Sequence, residues 1–193
     1  MTAQPTTALA DLSLVAGLSE ASCAALPLAR WVREGAGAVA AHVTLVEFFS
    51  GRDSPLAPAL TRVARAWHDA LPEPALAALL PLDFRTGRTV TDARGSRVEV
   101  QPATPGDARR LAEIARRATS LARPVWMPAP TRPPLHVTLA REPGDEPAVV
   151  APGSTVRCDA LHLAVATALP YGGIVHQVTY RPMAGYPTAT GSS

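Results

Sequence analysis

Two short stretches of the chain carry the same four letters, HVTL, at residues 42–45 and 136–139, and both alternate polar with apolar residues. This period of two predicts a β-strand, because successive side chains of a strand point to opposite faces of its sheet. In each copy the Val and the Leu share one face with the apolar residue that precedes the motif. The pattern therefore predicts two strands that each bury an apolar row and present a His–Thr pair on the other face.

The remaining periodicity places these strands in a mixed order of elements. Alternating or β-branched stretches predict strands at 11–18, 38–49 and 135–142, two or three strands within 79–101 with a turn at 93–96, and a closing hairpin of 157–169 and 174–182. Helical spacing predicts a helix over 19–33 with a weak point at Pro27. A second helix is predicted after Ser54-Pro55, where the apolar residues at helical spacing are Leu56, Leu60, Val63 and Trp67. A third is predicted over 105–122, with an apolar stripe of Leu111, Ile114, Ala115, Ala118 and Leu121.

This order of elements favours an α+β fold. Hairpins outnumber possible crossover connections, so the sheets are expected to be antiparallel. Each HVTL strand follows a helix, which predicts two similar lobes, each an antiparallel sheet with helices on its outer face, and a catalytic cleft between them. No long linker interrupts the chain, so residues 1–193 are expected to form one bilobal domain, ordered over about residues 10–182 with flexible termini.

Composition argues against a disordered chain and against a fold stabilised by a disulfide framework. Apolar residues make up 47% and charged residues 18% of the chain, which is typical of a globular protein. The net charge of +2 does not by itself indicate a nucleic-acid partner. The absence of a leader pattern and of any long apolar run predicts a cytoplasmic protein without a membrane partner. Cys23 and Cys158 are too few for a disulfide framework and are expected to be buried, inert thiols.

Two His–Thr pairs that face one cleft suit phosphoryl chemistry without a metal or other cofactor. One imidazole can take a proton from the attacking water and the other can donate one to the leaving oxygen. The hydroxyls can hydrogen-bond the non-bridging phosphoryl oxygens. The candidate catalytic residues are therefore His42, Thr44, His136 and Thr138. The sequence leaves open which histidine is the acid and which is the base.

Paired H-x-T-hydrophobic motifs in a chain near this length resemble the two-histidine (2H) phosphoesterase superfamily. The stretch LHVTLAR at 135–141 is similar to the PHVTLAR of its LigT-like branch, the RNA 2',3'-cyclic phosphodiesterases or 2'-5' RNA ligases, although Leu135 replaces the Pro. The resemblance covers about residues 10–182. It implies a monomeric phosphodiesterase without an obligate protein partner, which hydrolyses 2',3'-cyclic phosphates of nucleotides or RNA 3'-ends to 2'-phosphates. It also implies that Arg141 contacts the substrate.

Other interpretations stay open. A non-catalytic protein that binds nucleotide or RNA would keep the same cleft, and a phosphodiesterase for 2'-5' linkages or cyclic oligonucleotide signals would keep the chemistry. Tyr171 could stack on a base and is a candidate substrate contact. The histidines outside the motifs are expected to be structural or to lie at the surface: His68, His162 and His176. A metal site built from His162 and His176 would lack a third ligand.

Overall fold

The structure is a computed structural model. It describes residues 9–29, 41–49, 74–92, 95–122, 129–130, 134–140, 149–167 and 181–182. The predictions that fall outside these residues include the helix after Ser54-Pro55, residues 30–33 of the first helix, and residues 168–180 of the closing hairpin. They also include the side chains of His68, Arg141, Tyr171 and His176.

The described residues form eight strands and three helices. The strands are β1 (Leu9–Leu18), β2 (His42–Phe49), β3 (Leu82–Asp92), β4 (Gly95–Pro102), β5 (Ala129–Pro130), β6 (Leu135–Ala140), β7 (Thr155–Thr167) and β8 (Arg181–Pro182). The helices are α1 (Glu20–Ala25), α2 (Pro74–Ala77) and α3 (Pro105–Ala122). None of these helices is both long and apolar enough to cross a membrane.

Most of the predicted elements are confirmed. The segment 79–101 holds two strands, and α3 has the predicted bounds. Within the described part of the helix predicted over 19–33, α1 ends at Ala25 near the predicted weak point, because Leu26 is already extended, as a residue before proline prefers to be. At its start the Ser19 hydroxyl accepts a hydrogen bond from the Ser22 amide. Helix α2 and strand β5 were not predicted.

The strands form one antiparallel sheet that closes on itself. The strand order is β1-β2-β6-β4-β3-β7, and β1 also pairs with β7, so six strands make a closed sheet. The short strands β5 and β8 add to β2 and β7. The predicted antiparallel pairing is confirmed. Two separate sheets are not confirmed, because the described strands belong to one sheet, and the division into two lobes stays a prediction.

One face of this sheet carries the hydrophobic core. Helix α3 contributes the predicted residues Ile114, Ala115 and Ala118 to it. The sheet contributes buried residues from six strands, among them Leu14, Val43, Leu45, Phe84, Val98, Val137, Leu139 and Cys158. Burying a Val, Leu, Ile or Phe side chain stabilises the fold by about 1.5–3 kcal/mol each. The packing of this face fixes which side chains the opposite face presents.

Candidate active site

Both HVTL strands have the predicted alternation. Strand β2 and the residue before it bury one row, and strand β6 buries the matching row: Ala41, Val43, Leu45, Leu135, Val137 and Leu139. The His and Thr of each motif are half-buried and point away from the core. The sequence pattern therefore places the four candidate catalytic side chains on the face opposite the core.

The two motif strands are direct neighbours. Strand β2 pairs antiparallel with β6, and the Cα of Val43 lies opposite the Cα of Val137. Continuing this register by one residue on each side sets the His of each motif opposite the Thr of the other. A local two-fold axis between the two valines thus relates the two copies of HVTL.

Each motif ends in a β-bulge at its Leu. Leu45 is skipped in the ladder between β2 and β1, and Leu139 is skipped in the ladder between β6 and β4. The next residues, Val46 and Ala140, are buried as well, so the alternation of faces stops at the same letter in both copies. A bulge bends its strand and increases the local twist. The two copies therefore share a backbone irregularity as well as four letters.

The spacing between the two histidines suits a bound phosphate. Directly opposite residues of an antiparallel pair have Cβ atoms about 4.5–5.5 Å apart, and diagonal residues are about 7–8 Å apart. His42 and His136 are diagonal neighbours on one face. A phosphate fits between two imidazoles that each hydrogen-bond it at about 2.9 Å. Two imidazoles at this spacing can contact one phosphate together.

On the β4 side of the motifs the face is charged. Glu99 lies opposite His136, and Arg97 lies opposite Thr138. Both are half-buried and alternate with buried valines. The Nε atom of Arg88 donates to both carboxylate oxygens of Glu99 at 2.9 Å, which holds that carboxylate in place.

The Arg97 guanidinium is held by a carboxylate of the neighbouring strand β3. Its Nη1 donates to the Asp92 carboxylate at 2.7 Å. Sequence reasoning missed Arg97 and Glu99 as members of this face. Their alternation with Val98 and Val100 is visible in the sequence, but the partner strand that places them beside His136 is not.

On the β1 side the residues directly opposite the motif are apolar. Gly17 lies opposite His42, and Val15 lies opposite Thr44. One strand further, His162 on β7 lies opposite Val15. Burial lowers the pKa of His162, against the opposing effect of the Asp159 carboxylate. The local two-fold axis therefore does not extend to the flanking strands, and the two motif histidines have different surroundings.

The structure also answers two smaller predictions. Cys158 is buried in the core, as predicted, and burial raises the pKa of its thiol. Cys23 is half-buried. Within the described ranges no three His, Cys, Asp or Glu side chains are grouped as metal ligands. The metal site considered for His162 required His176, which lies outside those ranges.

Comparison with known proteins gives structural neighbours only. No family model and no curated protein matches the sequence. The fold is similar to that of E. coli LigT in apo form, with 17% identity, a TM-score of 0.46, and coverage of 91% of this chain and 95% of that chain. It is also similar to a crystal structure of a phosphoesterase, with 17% identity, a TM-score of 0.46, and coverage of 90% and 95%. A third neighbour is TT0787 of Thermus thermophilus, with 20% identity, a TM-score of 0.44, and coverage of 91% and 98%.

Proposed function

We propose that this protein is a metal-independent phosphodiesterase that hydrolyses 2',3'-cyclic phosphates of nucleotides or RNA ends to 2'-phosphates. The observation that carries this proposal is the pairing of Val43 with Val137, which brings two His–Thr pairs onto one half-buried face. Two imidazoles at diagonal positions supply both a proton acceptor and a proton donor for one phosphate.

The reaction adds one water across one phosphorus–oxygen bond. One imidazole takes a proton from the water as its oxygen attacks phosphorus, and the bond to the 3' oxygen breaks. The other imidazole gives its proton to that leaving oxygen. A 2'-phosphate and a free 3'-hydroxyl result, and His42 and His136 exchange protonation states. The hydroxyls of Thr44 and Thr138 donate hydrogen bonds to the non-bridging oxygens, where negative charge builds in the transition state.

Substrate contacts are proposed on the β6 side of the site. Arg97 lies opposite Thr138, so its guanidinium can approach the phosphate that this hydroxyl binds. Leu139 and Ala140 are both buried. Arg141, the next residue in the sequence, remains a proposed contact for the phosphate. Tyr171 remains a proposed contact for the base.

A substrate panel tests the proposal. Purified protein with EDTA is incubated with 2',3'-cyclic mononucleotides, RNA that ends in a 2',3'-cyclic phosphate, 2'-5' linked dinucleotides and cyclic oligonucleotides. We expect turnover of the 2',3'-cyclic phosphates to 2'-phosphates. Turnover confined to another member of the panel would change the substrate class. Binding of nucleotide or RNA without any turnover would instead favour the non-catalytic alternative.

Single substitutions test the roles of the histidines. His42→Ala and His136→Ala are each expected to lower the rate at least about a hundredfold, the scale of a positioned acid or base. Substrate affinity should change much less. The double variant should be little slower than either single variant, because groups that act as a unit are not additive. Full turnover in either single variant would contradict the mechanism.

A further inference from the structure

The imidazole of His162 leans across strand β1 at Gly17. A Cβ atom built on Gly17 would lie 2.5 Å from His162 Nε2 and 2.7 Å from its Cδ2. Cβ atoms do not approach other heavy atoms this closely, so any side chain at position 17 would have to displace the imidazole. Glycine leaves room here for the histidine, which occupies the place of a side chain.

This contact brings His162 towards the proposed site. The residue directly opposite His162 on β1 is Val15, yet the imidazole lies over Gly17, two positions further along the strand. Gly17 is the residue opposite His42 on β2. Because neighbouring strands are about 4.8 Å apart, an imidazole over the backbone of β1 lies beside the side chain that β2 presents in the same row.

The surroundings of His162 keep its imidazole neutral. The residue is only 5% exposed. Its pKa is lowered by burial, with Asp159 on its own strand acting in the opposite direction. The β1 residues that face it, Val15 and Gly17, carry no charge, and the backbone of Pro182 lies opposite it on β8. A neutral imidazole offers one N–H donor and one acceptor nitrogen.

Packing alone does not account for a histidine at this position. An apolar side chain would fill the same space without the cost of removing a polar group from water. The group that distinguishes this place from an ordinary core position is the His42 imidazole in the neighbouring row. Hydrogen bonding at one ring nitrogen sets which tautomer a histidine adopts at the other.

We propose that His162 is a third histidine of the site, a positioning residue that sets the orientation and tautomer of His42. Gly17 has no side chain, and the space that this leaves allows the His162 imidazole to approach His42. This inference rests on the proposed function, since it assigns His162 a part in the same reaction. It does not require His162 to touch the substrate.

Three variants test the inference. His162→Leu fills the space but removes both ring nitrogens, His162→Gln retains a donor and an acceptor, and Gly17→Ala displaces the imidazole without altering it. Leu163→Val is the matched control, because it changes a buried side chain of the same strand on the core face. Denaturation curves identify any variant that fails to fold.

We expect His162→Leu and Gly17→Ala to lower kcat about ten- to a hundredfold with little change in KM, as when groups that orient metal-bound histidines are removed. The pH–rate limb to which His42 contributes should shift in both variants. His162→Gln should recover part of kcat and restore that limb. Leu163→Val should leave the pH profile unchanged.

An NMR titration of the His42 imidazole gives a second measurement that does not depend on turnover. Its ring nitrogen shifts should change in His162→Leu and Gly17→Ala and remain as in the wild type in Leu163→Val. Unchanged His42 shifts and an unchanged pH profile in both site variants would overturn the inference, while activity in the wild type would still support the proposed function. If the wild type turns over no member of the substrate panel, the proposed function is wrong. In that case the NMR titration still tests the contact between His162 and His42, and unchanged His42 shifts would reject it.

Discussion

The two proposed catalytic histidines carry the same motif but have different neighbours. Glu99 lies opposite His136, whereas Gly17 lies opposite His42. A carboxylate beside an imidazole favours its protonated form. Arg88, which hydrogen-bonds Glu99, and Arg97 on the same strand act in the opposite sense and weaken this effect. Because Glu99 is the directly opposite residue, we expect His136 to start the reaction as the acid, with His42 as the base.

Replacing Glu99 with Gln tests this assignment, because the variant keeps the size of the side chain and removes its charge. We expect His136 to titrate at lower pH in Glu99→Gln, since its protonated form loses a neighbouring carboxylate. The alkaline limb of the pH–rate profile should move down with it, as the acid is lost at lower pH. NMR titration of the imidazoles and pH–rate profiles give the two measurements.

The matched control is Glu113→Gln on α3, a carboxylate that pairs with Arg116 and Arg117 away from the site. It should leave both measurements unchanged. If His136 titrates at the same pH in Glu99→Gln as in the wild type, the acid and base assignment is wrong.

His162 should make the stability of the fold depend on pH. Burial lowers its pKa in the folded protein, whereas the unfolded chain titrates near the ordinary value of about 6.5. On acidification the unfolded state therefore binds a proton first, and stability falls as the pH drops below about 6.5 until the folded pKa is reached. His162→Gln should lose this contribution. Urea unfolding of both proteins between about pH 7.5 and pH 5 measures it, and equal pH dependence in the two would contradict the expectation.

At the scale of single residues, the sequence predicts the position of a side chain where that position depends only on neighbours in the same strand. The side on which His42 and Thr44 lie follows from the alternation within their own strand. Membership of Glu99 and His162 in the same face depends on which strands become neighbours, and no pattern within β4 or β7 specifies this. His162 is buried, which agrees with the expectation that it is structural or at the surface. Its proposed link to His42 passes through a glycine on a third strand, so no pattern within β7 could indicate it.

The elements differ in how well their own sequences define them. Helix α3 begins where Thr104 precedes Pro105, a capping residue followed by a proline suited to the first helical position, and its bounds were predicted. Helix α1 stops before Pro27 for an equally local reason. The bulges at Leu45 and Leu139 have no such signal, because they appear only in the register with a neighbouring strand.

Asp107 connects helix α3 to the sheet. Its Oδ1 accepts a hydrogen bond from the Asp83 amide at 3.2 Å, its Oδ2 accepts one from the Thr104 hydroxyl at 2.5 Å, and it pairs with Arg110. Burial alone would raise its pKa, but these partners hold the pKa below the usual range. The carboxylate is therefore charged at neutral pH, and both of its oxygens accept hydrogen bonds.

Asp107→Ala should lower the free energy of unfolding by about 1–3 kcal/mol, the cost of leaving buried polar partners without their hydrogen bonds. Urea unfolding at neutral pH gives the value. Glu113→Ala on the same helix is the control, since its ion pairs lie at the surface and exposed pairs contribute little. Equal losses in the two variants would show that Asp107 does not connect α3 to β3 in the way described.

Across the whole molecule, β1 determines how the halves of the chain meet. It pairs with β2, which carries the first HVTL, and with β7 near the other end of the described chain. Strands β2 and β6 also pair directly, so the two motifs belong to one sheet. The sequence predicted two antiparallel sheets because each motif has its own helix and its own hydrophobic row. Closure involves strands far apart in the chain, and hydrophobic periodicity contains no information about such pairings.

A closed sheet should open as one unit, and this tests the two-lobe prediction. Leu14→Ala in β1 removes a fully buried side chain and should cost about 2–5 kcal/mol. If the sheet is cooperative, native-state hydrogen exchange should show the same loss of opening free energy for the amides of β2 and of β6. Val98→Ala in β4 should affect both strands in the same way from the other side. Two independent lobes would instead confine the loss from Leu14→Ala to β2 and the loss from Val98→Ala to β6. That outcome would mean that the pairing of Val43 with Val137 does not hold the two His–Thr pairs together, and the proposed phosphate site would lose its structural basis.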